Sequence, residues 1–262
     1  MRPRELRELW NDVDTHGFTL PTVEFYGHTK GHHRAFSNFF EHEQFDFTVP
    51  EGCGGGAIVA SGRSATVPCA FSEKAIMLCK AAVMGDYASY DRIAGSRTPK
   101  QAKALGRCVE PWDEEVWQSV VCEVALAAVG QKFAALPQHA QTLLKTGDRL
   151  IAEMTRNDCN WGTGLDVGHA DASRPGSWPG TNILGWALMV TREQLKKDGG
   201  FVPVTAVAQS AAAAAAAAAA CTSGDSAPKD EEALSKRGGG GGKQHRGERK
   251  RRVQSAWLGD GE

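Results

Sequence analysis

The sequence has no Cys-x-x-Cys pair, no long apolar run and no excess of charge of one sign. Its seven cysteines are irregularly spaced, which argues against a disulfide framework or a zinc finger. A reducing, intracellular compartment is expected, cytoplasmic by default. No stretch approaches the roughly 18 apolar residues needed to span a bilayer. The opening "MRPRELRELWNDVD" has no apolar segment of the kind a secretory leader carries, so neither a leader nor a membrane partner is expected. A net charge of -1 gives the chain as a whole no pull toward polyanions. "GCGGG" (Gly52–Gly56) lacks the Lys-Ser/Thr of a phosphate-cradling loop. His28, His32 and His33 in "GHTKGHHR" match no standard ligand spacing and read as a solvated loop, so no metal and no cofactor is expected.

What is present divides near residue 200. Before it lie six of the seven tryptophans, mixed apolar periodicity and spaced turns. After it come ten alanines, Ala211–Ala220, a glycine run and clustered charge. Such a segment cannot bury enough apolar surface to offset the entropy of ordering it. Residues 201–262 are therefore expected to form a disordered low-complexity tail. Between Lys236 and Arg252 it holds eight Lys/Arg against one Glu. That cluster reads as a solvated basic tail, or as a nuclear address or weak nucleic-acid contact.

In the first part, "TVEFYG" and "QFDFTV" alternate like strands. "AIVAS" and "SATVP" predict a hairpin between Ala57 and Pro68, and "RLIAEM" (Arg149–Met154) a short strand. Helices are predicted from Phe71 through Lys80, from Pro99 with Thr98 as N-cap, from near Trp112, near Leu136, and over Thr181–Lys197. In the Trp112 helix, Val116, Val120, Cys122, Val124, Ala127 and Ala128 make the expected core face. The fold class is α+β, helix-rich, with a small β-sheet.

The helix "FSEKAIMLCKAAVMGD" raises the chemical question. Glu73 and Lys80 are seven positions apart, two turns, so they lie nearly in line about 10 Å apart along the axis. That exceeds the i,i+4 spacing of an ordinary helix ion pair and leaves room for a small ligand between them. Three further stretches, "FSNFF" (Phe36–Phe40), "EMTRNDCNWGTGL" (Glu153–Leu165) and "WPGTNILG" (Trp178–Gly185), combine aromatics, glycines and polar groups. That mixture suits a planar base or a sugar.

Together these motifs resemble the NADAR family, named for NAD and ADP-ribose. The resemblance is carried by Phe25-Tyr26, Phe36-Ser37-Asn38-Phe39, Ser72-Glu73-Lys74 with Lys80, and Ala102-Lys103-Ala104-Leu105-Gly106-Arg107. It continues through Lys132-Phe133, Leu143-Leu144 with Thr146, Glu153, Asp158 and Trp161-Gly162-Thr163-Gly164-Leu165. It ends with Trp178, Gly180, Asn182, Leu184-Gly185, Leu188-Met189 and Val190 with Arg192. It spans about Val23 to Leu195 and places a single NADAR-like domain at residues 15–200. Two departures stand out: Ala75 replaces the family's aromatic two places after the Glu, and "PEGCGGGAIVASGRSATVPCA" replaces a short turn. That insertion is expected beside the pocket mouth, as a surface loop or a lid.

The resemblance implies hydrolysis of an N-glycosidic bond between ribose C1 and a base, in a phosphoribosylated pyrimidine of riboflavin synthesis or an ADP-ribosylated base, free or in nucleic acid. The catalytic candidates are Glu73, Lys80 and Asp158, with Lys80 attacking C1 to give a Schiff base or a carboxylate assisting water. Phe36, Ser37, Asn38, Phe39, Arg107, Trp161, Gly162, Asn182 and Arg192 are candidate substrate contacts. Each has a structural rival: a helix-dipole role for Glu73 behind a Ser72 cap, a snorkelling Lys80, an Asx turn at Asp158, a turn at Ser37, a helix cap at Asn182 and ion pairs for the arginines. The alternative function is a non-catalytic module that binds ADP-ribose or a related nucleotide.

Overall fold

The computed structural model describes residues 1–14 and 20–199; the tail expected at 201–262 lies outside them. Two small sheets, eight α-helices and three short 3-10 turns make up the regular structure of the described residues. Strand β1 (Thr22–Phe25) pairs in parallel with β4 (Leu150–Glu153), with Phe25 opposite Glu153. Strand β2 (Phe45–Thr48) pairs antiparallel with β3 (Thr66–Cys69). Both β2 and β3 alternate, so Phe45, Phe47, Val67 and Cys69 share the buried side.

The hairpin expected between Ala57 and Pro68 does not form. Gly55–Ala60 winds into a short helix, α2, and the second half pairs with β2 instead. A short apolar run reads equally as strand or helix. The backbone decides here: Gly54 turns left-handed at φ 89, and Gly55 packs so tightly against the Val49 carbonyl that no side chain fits. The tip of this insertion packs on the C-terminal half of the next helix. Gly54 abuts Ala82 and Gly52 abuts Glu123, while Arg63 pairs with Asp91 at 2.8 Å and Tyr90 donates to Ser64 O at 2.9 Å. Ala82 is nine residues past Glu73, about 13 Å along the same helix, but only two past Lys80.

That helix, α3 (Ser72–Met84), is central and packs on α4 (Tyr87–Ala94), α5 (Pro99–Gly106) and α6 (Glu114–Ala135). α5 starts as its sequence predicts, with Thr98 Oγ1 accepting from Gln101 N at 3.2 Å ahead of Pro99. Asp113 caps α6 in the same way. The predicted core face of α6 largely holds: Cys122, Val124 and Ala128 are buried and Val120 and Ala127 pack partly buried against the core, joined by Trp117, Val121, Ala125, Val129 and Phe133, whereas Val116 is 40% exposed. Val116 sits in the first turn, beside the buried Trp117 but on the solvent side. α7 (Pro137–Leu144) follows, and α8 (Ile183–Lys197) packs on α6 and β4.

Helix α1 (Pro3–Asp14) precedes residue 15, where the domain was expected to begin. It nevertheless buries Leu6 and Trp10. Trp10 Nε1 donates to Thr181 O at 2.7 Å, its ring meets Trp178 edge-on at 5.5 Å, and Arg7 donates to the carbonyls of Trp178 and Pro179. Among the described residues, no single helix is long and apolar enough to cross a membrane.

Candidate active site

Helix α3 begins without a side-chain cap. Phe71 occupies the N-cap position in extended conformation, Ser72 lies already inside the helix, and its Oγ has no partner. The cap comes from across the fold: Glu73 N donates to Asn38 O at 3.0 Å. This bond fastens the "FSNFF" turn to the first turn of α3. From the other side, the buried Lys132 donates to Ala35 O at 2.7 Å and Ser37 O at 3.4 Å. Ser37 Oγ accepts from Phe39 N at 3.2 Å, so its hydroxyl closes the turn. Asn38 is 7% exposed, and its Oδ1 is buried without a partner. A buried acceptor left unpaired costs free energy, which marks it as a group available to a ligand.

The aromatic beside this turn is Phe39, not Phe36. Phe36 is core, 1% exposed and packed against Phe25, Phe133 and His33, so the expected base contact is corrected. Phe39 is half-buried, with Lys103 Nζ 5.2 Å from its ring centre and the His28 ring at 5.8 Å.

Three acids converge here. Glu73 is 7% exposed, and burial pushes its carboxyl up to about 7, opposed first by the charge of Lys103, then reinforced by Asp158, and opposed again by Lys80 and Arg107. Glu153, at the end of β4, is pushed up to about 8 by burial, by Asp158 and by Glu73, with Lys103 opposing. Its Oε2 is buried with no partner. Asp158 acts electrostatically on both, while its Oδ1 accepts from Asn160 N at 2.9 Å and Trp161 N at 2.8 Å. The Asx turn is real, and it aims a carboxylate at the two glutamates' neighbourhood rather than excluding Asp158 from it.

Two amines answer these acids. Lys80 is half-buried with Nζ 4.2 Å from the Trp112 ring centre, a cation–π contact. Burial lowers its affinity for a proton to about 8, with Glu114 and Glu73 raising it and Arg107 lowering it. Lys103, on α5, is the strongest opposing charge at Glu73. Glu73 and Lys80 therefore do act on each other from one helix, and Arg107 is an exposed cation at the rim. Ala75 packs in the apolar core cluster.

The glycine-rich segments hold this cluster in place. The N–H groups that open α8 are taken by the preceding loop: Asn182 N to Gly162 O (2.9 Å), Ile183 N to Asn160 O (3.1 Å) and Leu184 N to Trp161 O (3.1 Å). Gly162 and Gly180 approach so closely that a side chain on Gly180 would run into the Gly162 carbonyl. Asn182, left-handed at φ 51, spends its whole amide on β4: Nδ2 donates to Ile151 O at 2.9 Å, and Oδ1 accepts from Glu153 N at 3.0 Å. It is fully buried with both ends of its amide bound to β4 and is corrected to a positioning residue; Gly162 belongs to the same clamp. Trp161 is half-buried against the core. Arg192 is also corrected. It is 4% exposed, ten residues further along α8, and donates to Thr146 Oγ1 (2.9 Å) and Arg149 O (2.8 Å).

Glu153, Lys103 and Lys132 were not assigned roles from sequence. Glu153 closes an apolar strand just before a glycine-rich loop, a pattern that marks an acid at the edge of a site. Lys103 lies in the Ala102–Arg107 motif, but nothing in its local sequence gives it a role at the site. Among the described residues, no group of three or more His, Cys, Asp or Glu is arranged to hold a metal ion.

The NADAR domain model matches residues 24–196. The chain belongs to the NADAR family. It is 31% identical over 123 residues to an N-glycosidase of Acanthamoeba polyphaga mimivirus, covering 47% of this chain and 72% of that protein. An N-glycosidase of Nostoc punctiforme is 33% identical over 42% of this chain and 64% of its own length. A riboflavin biosynthesis protein of Vibrio vulnificus is 32% identical over 41% of this chain, and the match spans only 26% of that protein. The fold matches the NMR structure of the E. coli protein YbiA with a TM-score of 0.50 and 25% identity, over 70% of this chain and 89% of that one.

Proposed function

We propose that this NADAR protein is an N-glycosidase that hydrolyses the bond between ribose C1 and a base nitrogen in a small nucleotide-like substrate. The N-glycosidase relatives support the activity. The observation that carries the mechanism is the convergence of Glu73, Glu153 and Asp158 with Lys80 and Lys103 around unpaired buried acceptors on Asn38 and Glu153.

Breaking a glycosidic C–N bond builds positive charge on the ribose and negative charge on the base. Carboxylates stabilise the first, and a proton donor relieves the second. The desolvated Lys80 amine is neutral in a substantial fraction of molecules near pH 8 and can attack C1. Ring opening then gives an imine that water hydrolyses. Phe39 offers a face for stacking, and Lys103 with Arg107 offers charge for a phosphate. The substrate classes that fit are a phosphoribosylated pyrimidine and an ADP-ribosylated base.

The test is incubation of the full chain with both classes of riboside, with released base followed by chromatography, and borohydride trapping followed by mass spectrometry. Base release with an adduct on Lys80 is expected. Binding without release from any riboside would sink the enzymatic reading in favour of a nucleotide-binding module. Full turnover by Lys80→Ala would leave hydrolysis standing but remove the amine route.

A further inference from the structure

We propose that Glu153 is the acid that protonates the departing base, with Glu73 acting as its ionised partner toward the ribose. This rests on the N-glycosidase reading above. The three acids of the site are not equivalent, and their surroundings sort them. Asp158 accepts two backbone N–H bonds through Oδ1, so its side chain is held in a turn. Glu73 feels three cations, Lys103, Lys80 and Arg107. Glu153 feels one, Lys103, and faces both of the other acids.

The burial of the individual oxygens points the same way. No donor reaches the buried Glu153 Oε2. An ionised oxygen is least tolerated where it is sealed from water and unpaired, whereas a hydroxyl there carries the proton a ligand can take. Burial pushes both carboxyls up, Glu73 to about 7 and Glu153 to about 8, and the cations Lys103, Lys80 and Arg107 around Glu73 favour its ionised form. Two neighbouring carboxyls in unlike surroundings, one ringed by cations and one sealed at an oxygen, provide one acid and one base.

The backbone of Glu153 is also held more firmly than that of an ordinary surface acid. Its N–H is bound by Asn182 Oδ1 at 3.0 Å, and its carbonyl accepts from Thr163 N at 2.8 Å and Thr163 Oγ1 at 3.1 Å. A proton donor must be placed within hydrogen-bond reach of the atom it serves, and this anchoring supplies that placement.

In the step itself, the C1–N bond breaks and its electron pair goes to the base nitrogen. The Glu153 Oε2 proton moves to that nitrogen, which leaves Glu153 as a carboxylate. C1 accepts an electron pair from water or from the Lys80 amine. The proton lost by that nucleophile passes to Glu73 and then restores Glu153. If Lys80 attacked, one water releases it from the imine. The net change is one water consumed, with free base and free ribosyl hydroxyl formed.

The experiment uses the full chain and two ribosides with the same sugar phosphate, one with a weakly acidic and one with a strongly acidic departing nitrogen. In single turnovers, Glu153→Gln should slow release of the weakly acidic base about 100- to 1,000-fold and the strongly acidic one less than 10-fold. It should also remove the alkaline limb of the wild-type pH profile. Glu153→Asp, which keeps a carboxyl, should recover part of the lost rate, and melting curves establish that each variant folds. Equal slowing of both ribosides with the alkaline limb intact would overturn the proposal and make Glu153 a positioning residue. No base release by wild type would overturn both this proposal and the N-glycosidase reading, whereas equal wild-type and Gln rates would overturn this one alone.

Discussion

The side-chain oxygen of Asn182 accepts a hydrogen bond from the backbone N–H of Glu153 at 3.0 Å, tying the start of α8 to the acid that ends β4. Its amide nitrogen completes the pair on Ile151 O. Asn182→Ala strands both backbone groups and forces alanine into a left-handed conformation that asparagine tolerates better. We expect a loss of about 2–4 kcal/mol in urea unfolding. Base release by the folded fraction should fall at least tenfold, because Glu153 loses its anchor.

Lys80→Arg separates charge from nucleophilicity. Arginine keeps the cation over Trp112 but cannot lose its proton at neutral pH. Turnover should fall at least about 100-fold while binding of the riboside changes little. In the wild type, the amine gains its neutral form as pH rises toward about 8, so the Lys80-dependent rate should climb from pH 6 to 8. A flat profile measured in single turnovers would argue against attack by the amine.

Arg192 makes the opposite prediction. Arg192→Ala leaves Thr146 Oγ1 and the Arg149 carbonyl without their donor inside a buried region. Stability should drop by about 2–4 kcal/mol by denaturant titration. The folded fraction should keep kcat/KM within about twofold, since no substrate atom is involved.

Stability should also carry two pH signatures. Glu73 and Glu153 have folded proton affinities raised above the ordinary carboxylate value of 4.5, to about 7 and about 8. Between pH 4.5 and those values the unfolded chain holds fewer protons, so stability is present at low pH and is lost as pH rises through the folded values. Each group contributes a slope of at most about 1.4 kcal/mol per pH unit. Glu153→Gln should flatten that decline in melting experiments run from pH 5 to 8.

Lys132 works in the other direction. Burial lowers its affinity from 10.5 to about 7, so between those values the unfolded chain holds the extra proton and folding becomes more favourable as pH rises. Lys132→Met should remove this rise between pH 7 and 10. It should also lower activity, because Ala35 O and Ser37 O lose the donor that holds the turn carrying Asn38.

Much of the fold was legible because local chemistry and tertiary context agreed. Thr98-Pro99 starts a helix in any setting, and the alternation in "QFDFTV" matches the buried face it meets. "AIVAS" was misread because four apolar residues carry no period of their own, and the tight approach of Gly55 to Val49 settled their conformation. In the site, Glu73 and Lys80 could be paired by helix geometry alone. Phe36 and Phe39 could not be told apart, since three residues of irregular chain put one in the core and the other at the rim. Lys103 and Glu153 come from α5 and β4, and only long-range packing brings them to α3. Arg192 shares a motif with Asn182 but lies almost three helical turns away from it.

The carbonyls of residues 160–162 complete the opening turn of α8. This has an effect on how the enzyme fails when heated. The loop that presents Asp158 cannot swing open without unravelling the end of a core helix, so chemistry and architecture share the same bonds. Inactivation and melting should then coincide in temperature, with no cooler range in which the protein remains folded but idle.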